Sequence, residues 1–596
     1  MCGIFGIIVK DEQNLGKIMV EACRRLSYRG YDSVGAGTIK SDGSTDLRKD
    51  VGKVDEVSMR LNLEEMEGII GIAQLRWATF GAPSKINAQP HYDSEKKMIG
   101  AHNGNIVNNI QLKEVFKNDG MVVRSTNDGE SCVHAVEYFL KRNFSMEEAI
   151  RKSMEILEGD YSFLIASVYE KKLYAVKKGS GLVVGLGKDG NYVSSDLPSL
   201  LFLTKKVIKI DDGEMVILES DKITVKNIET GEVIDKEVEE VTEEMESVKK
   251  GGFPHFMLNE IYEQPKVASD LLHLLNASTL MDKFLSKLKD ARNLYFIGCG
   301  TSYHACLFGA VAFAKYAKRA VIPVLAPQFI PQYIQTVTKD DVGIFVSQSG
   351  ETKDVLKALY SAKEQGMGIL GLVNVLGSTL MKESEVYLPL ACGYEISVPA
   401  TKTFTNQLIA FVYLALKLGG GNTKSLSKIP ELLKDTIKLS NDLARSSVKY
   451  FKDFNEFYCL GYGLSYPIAL EGALKIKEVT YTHCEGMLST EFKHGPLSSV
   501  REGYPVLFVV SPEDIALALS GINEVSCRGG FTIVISKEDE KIKANCNEVF
   551  VLRNVEEPLF SLTSVIPLQL LSYYSSVEKG IDPDFPRNLS KTLTVD

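Results

Sequence analysis

The chain has 596 residues, of which 44% are hydrophobic and 24% are charged, and its formal net charge at pH 7 is -9. This length predicts roughly three or four domains, and this composition is typical of a folded globular protein. The negative net charge, without a basic stripe, excludes a partner with a phosphate backbone, so we expect no nucleic acid.

The ten cysteines are scattered singly, with no CxxC pair and no Cys/His spacing suited to zinc. This usage predicts neither a disulfide framework nor a metal site, and it is typical of a reducing compartment. The longest later apolar run, "QLIAFVYLALKL", is interrupted by Lys417, and the amino-terminal apolar run has no basic leader. We therefore expect a cytoplasmic protein with no membrane partner.

A cysteine stands at position 2, directly before the apolar run "GIFGIIV", which predicts a buried strand. Removal of Met1 would leave Cys2 with both a thiol and a free α-amine, and this amine can act as the general base for the thiol. The alternative is a small buried thiol without chemistry. Position alone leaves both interpretations open.

Residues up to about 220 contain short β-type runs separated by turn residues, which predicts a sheet-rich α+β domain. Three polar clusters interrupt these runs: "LRWATFG", "AHNGNI" and "RSTNDGES". Asn103 and the backbone N–H of Gly104 would form an oxyanion hole, and Arg76 and Asp128 would hold the charged ends of an amino acid. A turn, a surface ion pair and a loop are the alternatives for the same residues.

Five motifs occur in an order that resembles the class II glutamine amidotransferase domain: "MCGIFGI", "RRLSYRGYDSVG", "RWATFGAPS", "HNGNI" and "STNDGE". The resemblance implies an α+β N-terminal nucleophile (Ntn) sandwich that hydrolyses the side-chain amide of glutamine. The roles that it implies are Cys2 as nucleophile with its own amine as base, Asn103 and Gly104 as oxyanion hole, and Arg76, Thr79 and Asp128 as glutamine-binding residues. The chain departs from the common motifs at Phe80, where His is usual, and at Asn105, where Ile is usual.

The second half alternates apolar strands, Gly/Ser turns and amphipathic helices, a pattern typical of parallel βαβ units. Its turns repeat at one offset, since Gly298 and Ser302 recur 163 positions later as Gly461 and Ser465. We predict two related doubly wound α/β domains with parallel sheets. The predicted limits are 2–225 for the first domain, 226–274 for a charged connector, 275–435 and 445–580 for the two α/β domains, and 581–596 for a carboxy-terminal tail.

The stretch "FVSQSGETKDVLKAL" ends a strand in a hydroxyl-rich turn and then begins a helix. Backbone N–H groups at a helix start, together with hydroxyl and amide side chains, favour a phosphate site, and an ordinary capped helix is the alternative. The preceding strand-to-helix turn lies beside it in a doubly wound sheet. The candidate phosphate-binding residues of the two turns are Thr301, Ser302, Ser347, Gln348, Ser349 and Thr352.

The helix predicted for "SYPIALEGALKIKEVTY" carries Glu471, Lys475 and Glu478 on one face, at spacings i, i+4 and i+7. The remaining circumference is largely apolar, which favours a charged face that lines a cleft and can transfer protons. A surface ladder of ion pairs is the alternative. Downstream, "EFKHGPLS" supplies His494, whose imidazole titrates near neutral pH.

The motifs of both halves together resemble the glucosamine-6-phosphate synthase family, whose carboxy-terminal half is two sugar isomerase (SIS) domains. These motifs are "EIYEQP", "CGTSY", "SQSGET", "EGALKIKE", "FKHGPL" and "PRNLSKTLTVD". The resemblance implies the first committed step of amino-sugar synthesis, from L-glutamine and fructose 6-phosphate to glucosamine 6-phosphate and glutamate. It implies no metal or organic cofactor and a homodimer formed through the SIS domains.

The same resemblance implies residue roles for the sugar reaction. Lys591 would form the Schiff base, and His494 would assist ring opening, also for the neighbouring subunit. Glu478 would transfer a proton between C1 and C2, with Lys475 and Glu471 in support. The hydroxyl-rich turns would bind the sugar phosphate, and Trp77 would gate an ammonia channel. The loop "SVPATKTFT" departs from the family at Pro399, since the common pattern is "GVASTK".

Three other functions share part of these motifs. Another enzyme with a glutaminase head, such as an amidophosphoribosyltransferase or an asparagine synthase, lacks the repeated sugar isomerase motifs. A non-catalytic sugar-phosphate sensor would not need Cys2, Glu478, His494 and Lys591 together. A paralogue that aminates another ketose phosphate remains an open alternative.

Overall fold

A computed structural model describes residues 2–27, 30, 32–78, 81–241, 251–277, 280–451 and 454–591. The chain divides into two compact units, one that precedes residue 247 and one from residue 247 to residue 591. Within the described residues, no helix combines the length and the apolar character that a membrane crossing needs.

The strands of the first unit are, in chain order, β1 (Gly3–Asn14), β2 (Ser33–Ile39), β3 (Thr45–Val51), β4 (Glu67–Arg76), β5 (His91–Tyr92), β6 (Met98–Ile106), β7 (Gly159–Ser167), β8 (Leu173–Lys178), β9 (Val183–Leu186), β10 (Gly190–Ser194), β11 (Lys206–Lys209), β12 (Glu214–Leu218), β13 (Ile223–Asn227), β14 (Val233–Ile234) and β15 (Glu239–Glu240). Its α-helices are α1 (Gly16–Leu26), α2 (Val54–Leu61), α3 (Asn109–Asn118), α4 (Gly129–Leu140) and α5 (Met146–Ile156).

These strands form two sheets, in the orders β15-β11-β9-β10-β1-β4-β2-β3 and β14-β13-β12-β8-β7-β6-β5. Alternate side chains of a strand point to opposite faces, so on β1 Ile4 and Ile8 enter the core layer between the sheets, whereas Phe5 and Ile7 face the outer layer. Helices α1 and α2 cover the first sheet, and α3, α4 and α5 cover the second. The predicted α+β sandwich is confirmed as four layers, helix, sheet, sheet and helix.

The strands of the second unit are β16 (Leu294–Gly298), β17 (Ile322–Leu325), β18 (Val342–Ser347), β19 (Gly368–Val373), β20 (Val386–Pro389), β21 (Glu456–Gly461), β22 (His483–Leu488), β23 (Pro505–Val509), β24 (Phe531–Lys537) and β25 (Glu548–Leu552). Its α-helices are α6 (Phe256–Ala277), α7 (Met281–Asp290), α8 (Thr301–Ala312), α9 (Ala326–Tyr333), α10 (Lys353–Glu364), α11 (Thr379–Glu383), α12 (Lys402–Leu418), α13 (Ile429–Ser447), α14 (Ser465–Thr480), α15 (Ile515–Ser526), α16 (Glu540–Asn545), α17 (Leu559–Thr563) and α18 (Ile566–Glu578).

Two parallel sheets, β17-β16-β18-β19-β20 and β22-β21-β23-β24-β25, have the same strand order. This confirms the predicted pair of doubly wound α/β domains. The repeated turns follow corresponding strands, since Gly298 ends β16 and Gly461 ends β21. In this topology a ligand crevice lies beyond the carboxyl ends of the strands where the order reverses, between β16 and β18.

Helix α6 begins inside the stretch that the sequence assigns to the charged connector. Its residues Met257, Ile261 and Leu271 are fully buried in a core that includes side chains of both α/β domains. The charge that favours a solvated connector is concentrated before residue 250, whereas α6 is apolar along one face. The limits of the individual domains stay a prediction.

Candidate active sites

Cys2 lies at the end of the layer between the two sheets of the first unit. The register of β1 with β4 pairs Gly3 with Leu75, which brings Cys2 beside the residues that follow β4. The Trp77 backbone N–H donates to Cys2 Sγ at 3.4 Å. Burial raises the pKa of the Cys2 thiol. A base is therefore needed to form the thiolate.

Asn103 lies on β6 and faces the same layer as Cys2. Ile99 and Ala101 enter the layer between the sheets, and Asn103 follows Ala101 by two residues. Its side chain is fully buried, and neither Nδ2 nor Oδ1 has a hydrogen-bond partner among the described residues. A buried amide without partners is costly, so both polar atoms of this amide are available to a polar ligand.

Gly104 follows with a backbone φ of +128°, and a Cβ there would lie 2.2 Å from the carbonyl oxygen of Asp160. Only glycine is compatible with this conformation and this close approach. Glycine thereby allows the backbone of β6 to adopt this conformation directly after Asn103. The pair has the donor types that an oxyanion hole requires.

Two buried charges also act on the Cys2 thiol, the guanidinium of Arg76 and the carboxylate of Asp128. Arg76 donates to the carbonyl of Gly81 at 2.6 Å. Asp128 Oδ2 lies 3.2 Å from His102 Nε2 and accepts from the backbone N–H of Ile106 at 3.0 Å. Burial opposes ionisation of Asp128, but the charge and hydrogen bond of His102 outweigh it and lower the carboxyl pKa.

The sequence did not single out His102, although it is the first residue of the "HNG" motif. Thr79 and Phe80 lie outside the described residues. Trp77 is half-buried, and both its backbone N–H and its backbone C=O contact Cys2 Sγ. Asn105 is half-buried, and its Oδ1 has no hydrogen-bond partner in the described part of the chain.

In the second unit, α14 carries a buried group of charges. The Lys475 ammonium lies 2.5 Å from Glu478 Oε2 and 3.3 Å from Glu471 Oε1. The side chains of Lys475 and Glu471 are 1% and 0% exposed. Lys475 also donates to Thr301 Oγ1 at 3.2 Å. This burial excludes the alternative of a surface ladder of ion pairs.

The pKa values of this group diverge for identifiable reasons. Burial raises the pKa of Glu478, and the nearby Glu471 charge adds to the rise. Burial acts on Glu471 in the same direction, but the charge of Lys475 and a hydrogen bond from His304 outweigh it and lower its pKa. His304 Nδ1 lies 2.8 Å from Glu471 Oε2. The sequence analysis did not single out this residue, although it directly follows the motif "CGTSY".

The hydroxyl-rich turn after β18 is brought beside the turn after β16, because these strands are neighbours in the sheet. Ser347 Oγ accepts from the backbone N–H of Gly350 at 2.9 Å and lies 3.1 Å from Thr352 Oγ1 and 3.5 Å from Ser349 Oγ. Gln348 in the same turn is half-buried. The turn concentrates hydroxyl groups at the start of α10.

The two residues predicted from the β16 turn have protein partners. Thr301 Oγ1 donates to Glu471 Oε1 at 3.0 Å, so this hydroxyl belongs to the buried charge group. Ser302 Oγ accepts from Gln407 Nε2 at 3.0 Å. The sequence could not show which partners these two hydroxyl groups have, because both partners come from helices distant in the chain.

Lys591 docks in a buried site, with its side chain 4% exposed. Its Nζ lies 2.6 Å from Glu395 Oε2 and donates to the carbonyl of Ser397 at 2.8 Å. The positive charge of Lys591 also acts on Glu478. It offsets part of the rise in the Glu478 pKa that burial causes. The structure thus docks the tail lysine on Glu395 and Ser397, where its charge still acts on Glu478 of α14. The nearby Pro399 accepts a hydrogen bond from Ser397 Oγ at 3.0 Å.

His494 is not brought to this group within the chain. It lies in a short 3-10 turn, Phe492–His494, where it is exposed. Its imidazole makes no hydrogen bond or ion pair with the described residues. Across these same residues, no cluster of three or more His, Cys, Asp or Glu side chains has the arrangement of a metal site.

Comparisons with known proteins agree with this division of the chain. A model of the glutamine amidotransferase domain matches residues 76–201, and a model of the SIS domain matches residues 287–417 and 451–579. The C-terminal domain of glucosamine-fructose-6-phosphate aminotransferase from Francisella tularensis is 34% identical, with a TM-score of 0.52. That match covers 57% of this chain and 100% of the solved chain.

Full-length relatives are similar over both halves. Glutamine--fructose-6-phosphate aminotransferase (isomerizing) of Thermococcus kodakarensis is 39% identical over 613 residues, and that of Aquifex aeolicus is 40% identical over 606 residues. Each match covers 100% of this chain and 100% of the relative. The chain belongs to the glutamine--fructose-6-phosphate aminotransferase (isomerizing) family.

Proposed function

We propose that the chain makes D-glucosamine 6-phosphate and L-glutamate from D-fructose 6-phosphate and L-glutamine. The observation that carries this proposal is the ion-paired group of α14, in which Glu471 and Lys475 are buried and the half-buried Glu478 feels the charge of the docked Lys591. Such a group provides an amine for a carbonyl and a carboxyl that moves protons. A glutaminase half supplies the nitrogen.

In the glutaminase half, Cys2 attacks the side-chain amide of glutamine. Its α-amine, free once Met1 is removed, takes the thiol proton, which the raised thiol pKa makes necessary. The unpartnered Asn103 amide and the Gly104 N–H stabilise the oxyanion. Arg76 and Asp128 hold the charged ends of the amino acid. Thr79 is assigned to the same binding site by the family motif.

In the sugar half, Lys591 forms the Schiff base with the open-chain ketose. Glu478 moves a proton between C1 and C2, and its raised pKa suits a carboxyl that must both take and return a proton near neutral pH. Lys475 and Glu471 fix its position and charge. The hydroxyl-rich turn at 347–352 and its neighbour at 301–302 bind the phosphate.

A homodimer formed through the SIS half completes this account. The exposed His494, whose imidazole has no hydrogen-bond partner among the described residues, then assists ring opening in the neighbouring subunit. Trp77 gates the passage of ammonia. The ten free cysteines support a cytoplasmic location.

A pair of variants tests the function. Cys2→Ser should abolish glutamate release while fructose 6-phosphate still binds, and Lys591→Arg should abolish amino-sugar formation while glutamate release continues. Other ketose phosphates should give much lower turnover than fructose 6-phosphate. Loss of both activities in each folded variant, or higher turnover with another ketose phosphate, would contradict the proposal.

A further inference from the structure

A buried carboxylate lies against the nitrogen that forms the Schiff base. Glu395, in the loop between β20 and α12, has Oε2 at 2.6 Å from Lys591 Nζ. Both side chains are almost fully buried, at 0% and 4% exposure. The carbonyl of Ser397 accepts the second hydrogen bond of the same ammonium, at 2.8 Å.

Helix α12 fixes this carboxylate independently of the lysine. Glu395 Oε1 accepts from the backbone N–H groups of Thr401 at 2.9 Å and Thr403 at 3.1 Å. Oε2 accepts from Thr403 Oγ1 at 2.7 Å. These donors lie at the amino-terminal end of a 17-residue helix, whose dipole favours a negative charge. Glu395 therefore stays in place when the tail lysine moves or reacts.

The chemistry of Lys591 requires a proton acceptor at this position. An ammonium has no free electron pair, so Lys591 must lose a proton before it attacks a carbonyl carbon. Its two hydrogen-bond partners among the described residues are Glu395 and the Ser397 carbonyl, and only the carboxylate can take a proton.

We propose that Glu395 is a catalytic residue of the sugar half, which accepts the proton of the Lys591 ammonium and then serves as the counter-ion of the iminium. The inference rests on the proposed function, because it takes Lys591 as the Schiff-base lysine. The freed electron pair of the nitrogen bonds to C2 of the open-chain ketose, the π bond of the C2 carbonyl breaks towards its oxygen, and one proton of that nitrogen passes to the oxygen to give a hydroxyl. Glu395 returns its proton to the hydroxyl that leaves C2 as water, and the iminium charge remains beside the carboxylate.

The charges around Glu395 are consistent with this exchange. Burial opposes its ionisation, and the Lys591 charge outweighs burial and lowers the Glu395 pKa. Once the amine is neutral, the largest cause that lowers the Glu395 pKa is gone, and burial raises that pKa. The titratable groups that face the pair from other elements are Lys402 of α12, Glu260 of α6, Cys392 of the preceding loop and Glu478 of α14.

The test is borohydride trapping with fructose 6-phosphate in the full-length protein, measured as the rate at which the reduced adduct on Lys591 accumulates. Glu395→Gln removes the charge and the proton acceptor at nearly constant shape. We expect trapping at pH 7 to fall at least about 100-fold, the usual scale of a lost general base. Because solvent must then take the proton, trapping should recover as pH rises, unlike in the wild type.

Glu385→Gln is the matched control, since Glu385 also pairs with a lysine, Lys287 at 2.6 Å, but does so on the surface of the same α/β domain. It should trap like the wild type. Glu395→Asp, which keeps the charge, should retain more trapping than Glu395→Gln. An unchanged circular-dichroism spectrum and unfolding temperature of the full-length protein show that each variant is folded. Wild-type rate and pH profile in Glu395→Gln would overturn the inference. Failure of the wild type to trap sugar on Lys591 would instead overturn the proposed function.

Discussion

The Asn103 side chain is buried at the cost of two unmade hydrogen bonds, which a residue kept for stability would not show. Asn103→Ala should therefore lower kcat for glutamine hydrolysis by about 10²- to 10³-fold, the usual effect of removing one oxyanion donor. It should not lower stability. The measurements are glutamate release and thermal unfolding of the same preparation.

Asn109 provides a control for Asn103, because it is equally buried but donates to the Ile106 carbonyl at 2.9 Å. Asn109→Ala should cost about 1 kcal/mol of stability and leave kcat near the wild-type value. If Asn103→Ala hydrolysed glutamine normally and lost stability instead, the oxyanion role would be excluded.

Glu137 gives the first unit an acid-sensitive ion pair. Its Oε2 lies 2.7 Å from His134 Nδ1, and although burial opposes the charge, His134 and Ser94 lower the Glu137 pKa to about 2. A lowered carboxyl pKa stabilises the fold above the unfolded value of about 4.3, and this contribution is lost as pH falls towards 2. The loss is on the order of 3 kcal/mol.

Glu137→Gln should remove this pH dependence between about pH 5 and pH 2. Trp77 is the only tryptophan of the chain, so its emission during urea unfolding reports on the first unit alone. An unchanged dependence of the unfolding midpoint on pH in the variant would exclude the ion pair as its source.

Candidate site residues could be predicted from the sequence where they lie together in one short segment. Asn103 and Gly104 are adjacent, and Glu471, Lys475 and Glu478 share one helix face. Contacts made by packing between distant segments were not predictable: His304 reaches Glu471 across 167 positions, and Lys591 reaches Glu395 across 196. No local pattern in the sequence encodes either pair.

At the scale of elements, the tail is anchored to the start of α6. The Asp584 carboxylate accepts from the backbone N–H groups of Phe256 at 2.8 Å and Met257 at 2.7 Å, and the Asp584 carbonyl accepts from Val398 at 2.8 Å. These bonds satisfy donors at a helix start and hold the segment that leads to Lys591. The described part of the tail is therefore docked at both Asp584 and Lys591.

Asp584→Ala should therefore reduce amino-sugar formation at least about tenfold, because the tail loses its anchor, while glutamate release continues. The lost cap itself costs about 1 kcal/mol. Asp539→Ala is the control, since Asp539 caps α16 through Lys541 at 2.9 Å and Ile542 at 3.1 Å, away from the tail. If both variants reduced amino-sugar formation equally, the effect would come from lost stability and Asp584 would have no role in positioning the tail.

The elements themselves followed from the sequence wherever periodicity and turn residues agreed, as in the strand-to-helix units of both α/β domains. Helix α6 did not, because its residues were grouped with the charged stretch before them. Its "EIYEQP" motif acquires a function only in the fold, where Glu260 accepts from the backbone of Ser397 at 3.1 Å and Glu263 pairs with Lys402. The motif supports the loop that holds Glu395.

At the scale of the whole molecule, the account requires ammonia to remain unprotonated between its release and its use. Ammonia that enters water near pH 7 becomes ammonium, which is not a nucleophile. Trp77→Ala should thus stay folded and yield much more glutamate than amino sugar. The ratio of the two products measures this coupling, and one amino sugar per glutamate in the folded variant would eliminate the gate.

One chain is expected to move the amide nitrogen of glutamine onto fructose 6-phosphate. The most direct test of this transfer supplies the purified protein with glutamine labelled with ¹⁵N at the side-chain amide, fructose 6-phosphate and an excess of unlabelled ammonium, and weighs the product by mass spectrometry. The account predicts glucosamine 6-phosphate that carries ¹⁵N. Unlabelled amino sugar, or glutamate without any amino sugar, would contradict it.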